Sequence, residues 1–321
     1  MSPPRPSPPA DPVAHSPTMA SRRHCLGLGL AGLVGAAQGQ AAPAGRGPVL
    51  RYPAPQSPLD KRSLDLVNLL DAALRRTEAS HGPVRLEPSD EVLTELRQFV
   101  ELNADRGLLH VTWATPSTQR KTRAKPVLFD ARRGLLGMRV SLVDERRLPD
   151  LAKVTDLAAL RRFTVGQGLG WPDVDVYRAS GLQVFTVSGY ENLFRMLLAG
   201  RFDLFPRGVG EVFDEFEARH AQMQKLAVEP SLLLVYPYPY YFYFAPSQAA
   251  LAARVEKGLR AMQADGSFDA HLWRHHGASV ARAKFAKPRV VRLSNPNLDP
   301  AAASDFEANL AYWMKLPLAY R

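Results

Sequence analysis

Few residues in this chain have the type and spacing to do chemistry. Gly166-Gln167-Gly168-Leu169-Gly170-Trp171 leaves an apolar strand pattern and leads toward a helix near Asp173. Glycines at such a junction let backbone amides turn toward an anion. Their spacing is not that of a GxGxxG dinucleotide fingerprint, and no suitable acidic partner follows a second strand. His271-x-x-x-His275-His276 has the i, i+4 spacing that can grip a metal on a helix. It lacks an intervening glutamate base and an evident third ligand, so these are read as surface histidines and no metal is expected. Tyr52 and Trp113 fall at strand ends and Trp171 beside the glycine loop, where flat rings can wall a ligand cleft. Glu211 and Asp173 are the only acids that offer an acid/base pair.

The elements that position these residues begin well inside the chain. Residues 1–18 hold seven prolines and no apolar periodicity, and read as a disordered extension or a mis-assigned start ahead of Met19. After Met19, Arg22-Arg23 precede an uncharged Leu/Ala/Gly run from Cys25 to Ala37, with small residues at 39–42. This order of charge, apolar run and small residues is that of an export signal, so residues 19–46 are read as signal and linker to the periplasm. The arginine pair resembles a twin-arginine signal, with Cys25 where such signals usually carry Phe. The glycine-diluted run is too short to cross roughly 30 Å of hydrocarbon. Cys25 is the only cysteine, so the chain beyond the signal has no disulfide, thiolate nucleophile or cysteine-held metal.

From Val49 onward, short apolar strands alternate with amphipathic helices, which argues for sheets covered by helices. Val49–Tyr52, Val84–Pro88 and Leu108–Trp113 read as strands. Arg62–Glu78 reads as a helix, and a second is expected with Asp90 as its cap and Val92, Leu93, Leu96, Phe99, Val100 and Leu102 on its apolar face. A second α/β unit follows. Its expected strands are Leu135–Val143, Phe163–Val165, Gln183–Val187 and Phe202–Phe205, with helices at Asp156–Arg161, Asp175–Ala179 and Tyr190–Ala199. In the run 232–244, Pro237 and Pro239 break one strand into a strand, a crossing segment and a strand from Tyr240 to Phe244. Helices at Gln248–Ala264, around Trp273 and at Phe306–Leu316 complete the reading.

The composition is that of an ordinary globular protein: 321 residues, 46% hydrophobic and 22% charged, with room for about two domains. The net charge of +10 is spread without a long basic run, so no nucleic-acid partner is expected.

Three segments, in this order after an export signal, carry a resemblance: Asp156-Leu157 ahead of 163–170, Leu198-Ala199-Gly200-Arg201-Phe202-Asp203, and Ala264-Asp265-Gly266-Ser267-Phe268-Asp269. The chain resembles the bacterial extracellular solute-binding proteins of family 3, the amino-acid type, over nearly all its length beyond the signal. The resemblance implies the type II periplasmic-binding fold: α/β, two-lobed, each lobe a mixed sheet flanked by helices, joined by two hinge crossings. Lobe 1 is expected at 47–142 and 233–321 and lobe 2 at 143–232. A chain that leaves one lobe, completes a second and returns builds a hinge and a cleft.

In that family a Thr-x-x-Arg motif after the third strand grips the ligand carboxylate with the two-pronged guanidinium. Ser117-Thr118-Gln119-Arg120 matches it with a serine in the first place. The family also places an aspartate beyond its Gly-Arg-x-Asp segment to hold the ligand's ammonium. Here Arg207-Gly208 stand in that region, and a cation there repels an ammonium and attracts an anion. The ligand site implied is Tyr52, Trp113, Ser117, Arg120, Gly168, Leu169, Trp171 and Arg207, with no catalytic residue and no cofactor. The function implied is capture of a small anionic molecule by a hinged monomer for a membrane ABC transporter or a sensor. The alternatives are a dehydratase-like enzyme on the same fold or the partner of a ligand-sensing receptor.

Overall fold

The structure, a computed structural model, describes residues 47–315 other than 119, 121, 230, 284–287 and 299. The expected extension, export signal and end of the last helix at Leu316 lie outside the described residues. In chain order the strands are β1 (Val49–Tyr52), β2 (Arg85–Pro88), β3 (Val111–Ala114), β4 (Lys125–Pro126), β5 (Met138–Asp144) and β6 (Thr164–Gly168). They continue as β7 (Gln183–Val187), β8 (Phe205–Gly208), β9 (Leu226–Val228), β10 (Leu232–Val235), β11 (Tyr241–Phe244) and β12 (Arg289–Arg292).

The strands fall into two groups. In the first, β1 pairs in parallel with β2, and β11 lies antiparallel between β3 and β4. The His110 N–H donates to the Arg51 carbonyl at 2.9 Å and ties β1 to the start of β3. In the second, β5 is antiparallel to β8, β9 and β10, and β10 carries β12 in parallel at its far side. β6 and β7 pair in parallel and join β8's approach through a bridge between Val165 and Leu204. Sheet membership therefore extends the second group beyond the expected 143–232 segment, because β5, β10 and β12 hydrogen-bond within it.

The chain passes between the groups after β4, after β10 and after β11, and the first two of these passages lie side by side. One is the 3₁₀ turn Leu135–Gly137 ahead of β5, which replaces the first residues of the strand expected at Leu135–Val143. The other is the proline-bearing segment 236–240. The Tyr236 N–H donates to the Gly137 carbonyl at 3.0 Å. A side chain at Gly137 would run into the Tyr236 carbonyl and the Tyr238 Cβ. Contact between the crossings thus depends on the missing methyl.

Three other expectations are corrected by packing. β6 continues through Gly166 and Gly168, read from sequence as loop, because the Phe202 and Trp171 rings fill the space where their side chains would stand. Only Gly170, at φ +80°, is in the left-handed region there. The second helix is Glu95–Ala104, capped by Thr94 rather than Asp90. Of its expected apolar face, Leu93, Phe99 and Leu102 are buried while Val92, Leu96 and Val100 are 60%, 68% and 50% exposed. The strand expected at Phe202–Phe205 begins at Phe205 and runs to Gly208.

The helix Val209–His220, with Val209, Val212 and Phe213 buried, was not anticipated, nor were β4, β9 and β12. Two helices meet with very little between them: Leu64–Arg75, buried through Leu66, Leu69, Leu70, Ala73 and Leu74, and Ala249–Ala264, whose Gly258 lies against the Ala73 carbonyl. No helix among the described residues is long and apolar enough to cross a membrane.

Gly137→Ala is expected to destabilise the fold by about 1–3 kcal/mol, the range for overpacking a closed site. Urea denaturation checks it, with Gly200→Ala, where no atom stands in the way but φ is +70°, as a control for backbone strain alone.

Candidate ligand-binding cavity

A cavity of about 280 Å³ is lined from both groups of strands, near the lower end of small-molecule pockets, roughly 300–1,000 Å³. Tyr52 at the end of β1, Trp113 in β3 and Glu95 and Gln98 on the helix Glu95–Ala104 face it from one side. Arg139 in β5, Trp171 and Asp173 beyond β6, Arg207 in β8 and Glu211 on Val209–His220 face it from the other. Tyr238 and Tyr240 of the second crossing form the wall between them. Asp60, Lys61, Arg62 and Arg132 complete the charged lining.

The charged groups are organised in pairs. Arg207 donates through Nε and Nη2 to the two carboxylate oxygens of Glu215, at 2.7 and 2.8 Å. Arg132 does the same to Asp65, at 2.8 and 2.8 Å, and Arg62 to Asp60, at 2.7 and 2.7 Å. Glu211 lies among three guanidiniums, with Arg207 at 3.2 Å, Arg132 at 3.5 Å and Arg139 at 3.9 Å, and accepts the Gly208 N–H at 3.1 Å. Burial pushes Glu211 up, but Arg207, Arg132, Arg139 and Arg62 overcome it and hold the carboxyl below its usual range. Asp65 is likewise raised by burial, then driven well below the usual range by Arg132 and by the His276 hydrogen bond.

The rings share in this arrangement. The Arg207 guanidinium stands 5.0 Å from the Trp171 ring centre, and Arg62 lies 4.0 Å from that of Tyr190 and 5.8 Å from that of Trp171. Because Arg62 follows β1 while Trp171 and Tyr190 belong to the second group, this stack reaches across the cavity. Ser57 Oγ donates to Glu191 at 3.0 Å in the same direction.

The eight residues expected from sequence divide evenly. Tyr52, Trp113, Trp171 and Arg207 line the cavity. Gly168 lies in β6 under the Trp171 ring, and Leu169 is 66% exposed, so neither lines it. Arg120 is turned aside: it donates to Glu95 at 2.7 Å and to the Thr115 carbonyl at 2.6 Å, and lies 4.2 Å from the Phe99 ring centre. The Ser117 carbonyl accepts the Arg120 N–H at 3.1 Å, and Ser117 does not reach the lining. Glu211 and Asp173, the acids named as an acid/base pair, both line the cavity, each beside an arginine.

Sequence reasoning missed Arg62, Glu95, Arg132, Arg139, Tyr238 and Tyr240. One signal was available: Arg139 is the one charge in the stretch Leu135–Val143 read as an apolar strand, and a charge buried there is uncommon without a partner or a role. The histidines also differ from expectation. His271 and His276 are buried, and through Nε2 they meet the Asp65 carbonyl and carboxylate, each at 3.0 Å. They hold the acid that holds Arg132. Among the described residues, no group of three or more His, Cys, Asp or Glu side chains is placed to bind a metal.

No family model matches this sequence, and no curated protein matches it. Solved structures do match the fold. An ancestral arginine-binding protein bound to arginine aligns at TM-score 0.51 and 16% identity, covering 71% of this chain and 97% of that one. An amino-acid ABC transporter substrate-binding protein from Streptococcus pneumoniae aligns at TM-score 0.50 and 15% identity, covering 72% and 93%. A periplasmic His/Glu/Gln/Arg/opine family-binding protein from Silicibacter pomeroyi aligns at TM-score 0.50 and 10% identity, covering 72% and 97%. The chain has the two-lobed fold of the periplasmic binding proteins. Leu136 of the first crossing and Tyr238 and Tyr240 of the second line the cavity.

Burial pushes the Glu95 carboxyl up to about 7, against the pull of Arg120 and with help from Asp173. A folded-state value above the unfolded one means the native protein holds this proton more tightly. The contribution to stability is therefore complete below about 4.5 and is lost as pH rises through about 7. Glu95→Gln is expected to flatten the fall in stability across that window, by at most about 3 kcal/mol. Denaturant unfolding of both proteins between those pH values checks the sign.

Proposed function

We propose that this chain is an exported solute-binding protein that closes its two lobes on a small molecule and delivers it to a membrane ABC importer. The observation that carries the reading is the cavity itself: its walls come from both lobes and combine flat rings with oriented charges. A ligand touching Tyr52 and Trp113 on one side and Trp171 on the other gains contacts only when the lobes are together, so binding favours the closed arrangement. The export signal read in residues 19–46 supports a periplasmic location, where such capture takes place. We read the hinge as the two crossings at 135–137 and 236–240, and the protein as a monomer.

An enzyme on the same fold is the second reading, and Glu95 is the observation that favours it. A carboxyl poised near neutral pH within a cavity has the proton affinity of a general acid or base. Its ion pair with Arg120 weighs against that role, and Glu211 and Asp173 are each engaged by an arginine.

Protein purified from the periplasm is expected to carry its ligand, seen by native mass spectrometry as a mass lost on partial unfolding. Trp171→Ala is expected to weaken rebinding by tenfold or more in calorimetry, and ligand is expected to reduce the radius of gyration in solution scattering. A ligand consumed on standing with native protein but not with Glu95→Gln would favour the enzyme instead. A chain that never carries or rebinds a small molecule would end the binding reading.

A further inference from the structure

Four arginines line the cavity, and three of them are spoken for. Asp60 grips two nitrogens of Arg62, Asp65 two of Arg132, and Glu215 two of Arg207. Arg120, at the place where the family resemblance puts the carboxylate grip, is held by Glu95 and the Thr115 carbonyl.

Arg139 is different. It is 3% exposed, and its Nε has no hydrogen-bond partner among the described residues. Its Nη2 reaches one oxygen of Asp173 at 3.2 Å, and its Nη1 stands 3.9 Å from Glu211, a carboxylate already shared with Arg132 and Arg207. The guanidinium is fixed in place by the Tyr236 and Tyr238 rings, whose centres lie 5.6 and 5.2 Å away. A guanidinium carries five N–H donors in a planar fork, and burying them without acceptors is unfavourable. Such an arrangement persists where something else completes it.

The acids in the lining are in the opposite condition. Asp60, Glu95 and Glu211 each have an arginine in contact, and Asp173 takes the Tyr236 hydroxyl as well as Arg139. Among the described residues the buried lining therefore offers an ammonium no uncommitted carboxylate, while it offers an anion the donors of Arg139. The rest of the lining sets the rings Tyr52, Trp113, Trp171, Tyr238 and Tyr240 beside Lys61, Gln56, Gln98 and smaller apolar residues.

We infer that Arg139 is the anchor for the carboxylate of a ligand whose body is flat or apolar and bears no ammonium. The inference rests on the solute-binding reading above and adds the ligand's class and the residue that selects it. Arg139 takes the anion on β5, in the second group of strands, and the rings Tyr52 and Trp113 of the first group close over the body.

The probes are phenylacetate, its neutral amide phenylacetamide and the cation 2-phenylethylammonium, titrated against the fluorescence of Trp113 and Trp171 in the full exported chain. Phenylacetate is expected to bind at least tenfold more tightly than either of the others. Arg139→Gln is expected to abolish that preference, Arg139→Lys to keep part of it, and Arg120→Gln to leave it intact. Arg139→Gln strands the buried Asp173 as Arg132→Gln strands Asp65, so both are expected to lower the melting temperature. The anchoring role is therefore read from the acid-to-amide affinity ratio of folded protein, with Arg139→Lys, which keeps a charge beside Asp173, regaining part of the preference along with the stability.

Equal affinity for the acid and its amide would overturn the inference, as would a preference lost in Arg120→Gln but kept in Arg139→Gln. No binding by any of the three probes would overturn it too. A co-purified native ligand without an acidic group would overturn it while leaving the binding function standing, and absence of any co-purified or rebinding ligand would remove both.

Discussion

Glu211 holds the molecule's charged centre together. On its carboxylate, 10% exposed, guanidiniums from three different parts of the chain converge. Arg132 precedes the first crossing, Arg139 sits in β5 just after it, and Arg207 ends β8 one turn ahead of Glu211 itself. Take away that negative charge and three buried cations face each other at low dielectric, where like charges repel far more strongly than in water. Removing one member of a buried ion pair typically costs about 3–5 kcal/mol, because the survivor keeps its desolvation penalty. The carboxylate stays ionised for the same reason: the neighbouring arginines more than offset its burial.

From Glu211 the pairing spreads both ways. Through Arg132 it reaches Asp65, and through Asp65 the buried His271 and His276 on the helix Ser267–Arg282. Through Arg207 it reaches Glu215, which also accepts the Tyr190 hydroxyl at 2.6 Å. Tyr190 in turn lies under Arg62, whose loop leaves β1. A cavity wall made this way differs from an apolar core. Arg62 is satisfied by Asp60 two residues away and Arg207 by Glu215 two helical turns on, and Arg132 and Asp65, though 67 positions apart, both precede the first crossing, so separation of the lobes need not leave any of them unpartnered. The contacts that do span the cavity are few: an arginine on a ring, a serine on Glu191, and Arg132 at 3.5 Å from Glu211. That division suits a jaw, which must be stable both open and shut.

Much of the fold was legible in the sequence because its signals are local. The periodicity of Leu66, Leu69, Leu70, Ala73 and Leu74 and the prolines at 237 and 239 gave elements at nearly their observed bounds. The misreadings come where a neighbour distant in sequence decides. Gly166 and Gly168 read as a loop until Phe202 and Trp171 are seen filling their missing side-chain space. β12 pairs with β10 across 57 positions at Leu232↔Arg289, and nothing in Arg289-Val290-Val291-Arg292 announces a strand at a sheet edge. The cavity was half legible. Aromatics at strand ends are visible by position, but whether an arginine faces a ligand or a neighbouring acid depends on pairs such as Asp65 and Arg132, which periodicity does not reveal.

Arg120 and Arg139 make that last point in a single comparison. A motif identifies Arg120 by its spacing from Ser117, yet a guanidinium can grip a ligand only with donors that nothing else has taken. Glu95, twenty-five positions earlier, takes those of Arg120 at 2.7 Å, and the Phe99 ring covers its face. Arg139 matches no motif, and beyond its contact with Asp173 its Nε has no hydrogen-bond partner among the described residues. Moving the anion from the first lobe's loop to a strand of the second alters how closure would work. The ligand's charge would be fixed deep in the second lobe by a guanidinium already immobilised between two tyrosine rings, so little rotamer entropy is lost on binding. The first lobe would then be left to contribute ring surface, a contact that grows steadily as the gap narrows and has no fixed geometry to satisfy. Specificity for charge and the mechanical act of closing would thus rest on different lobes.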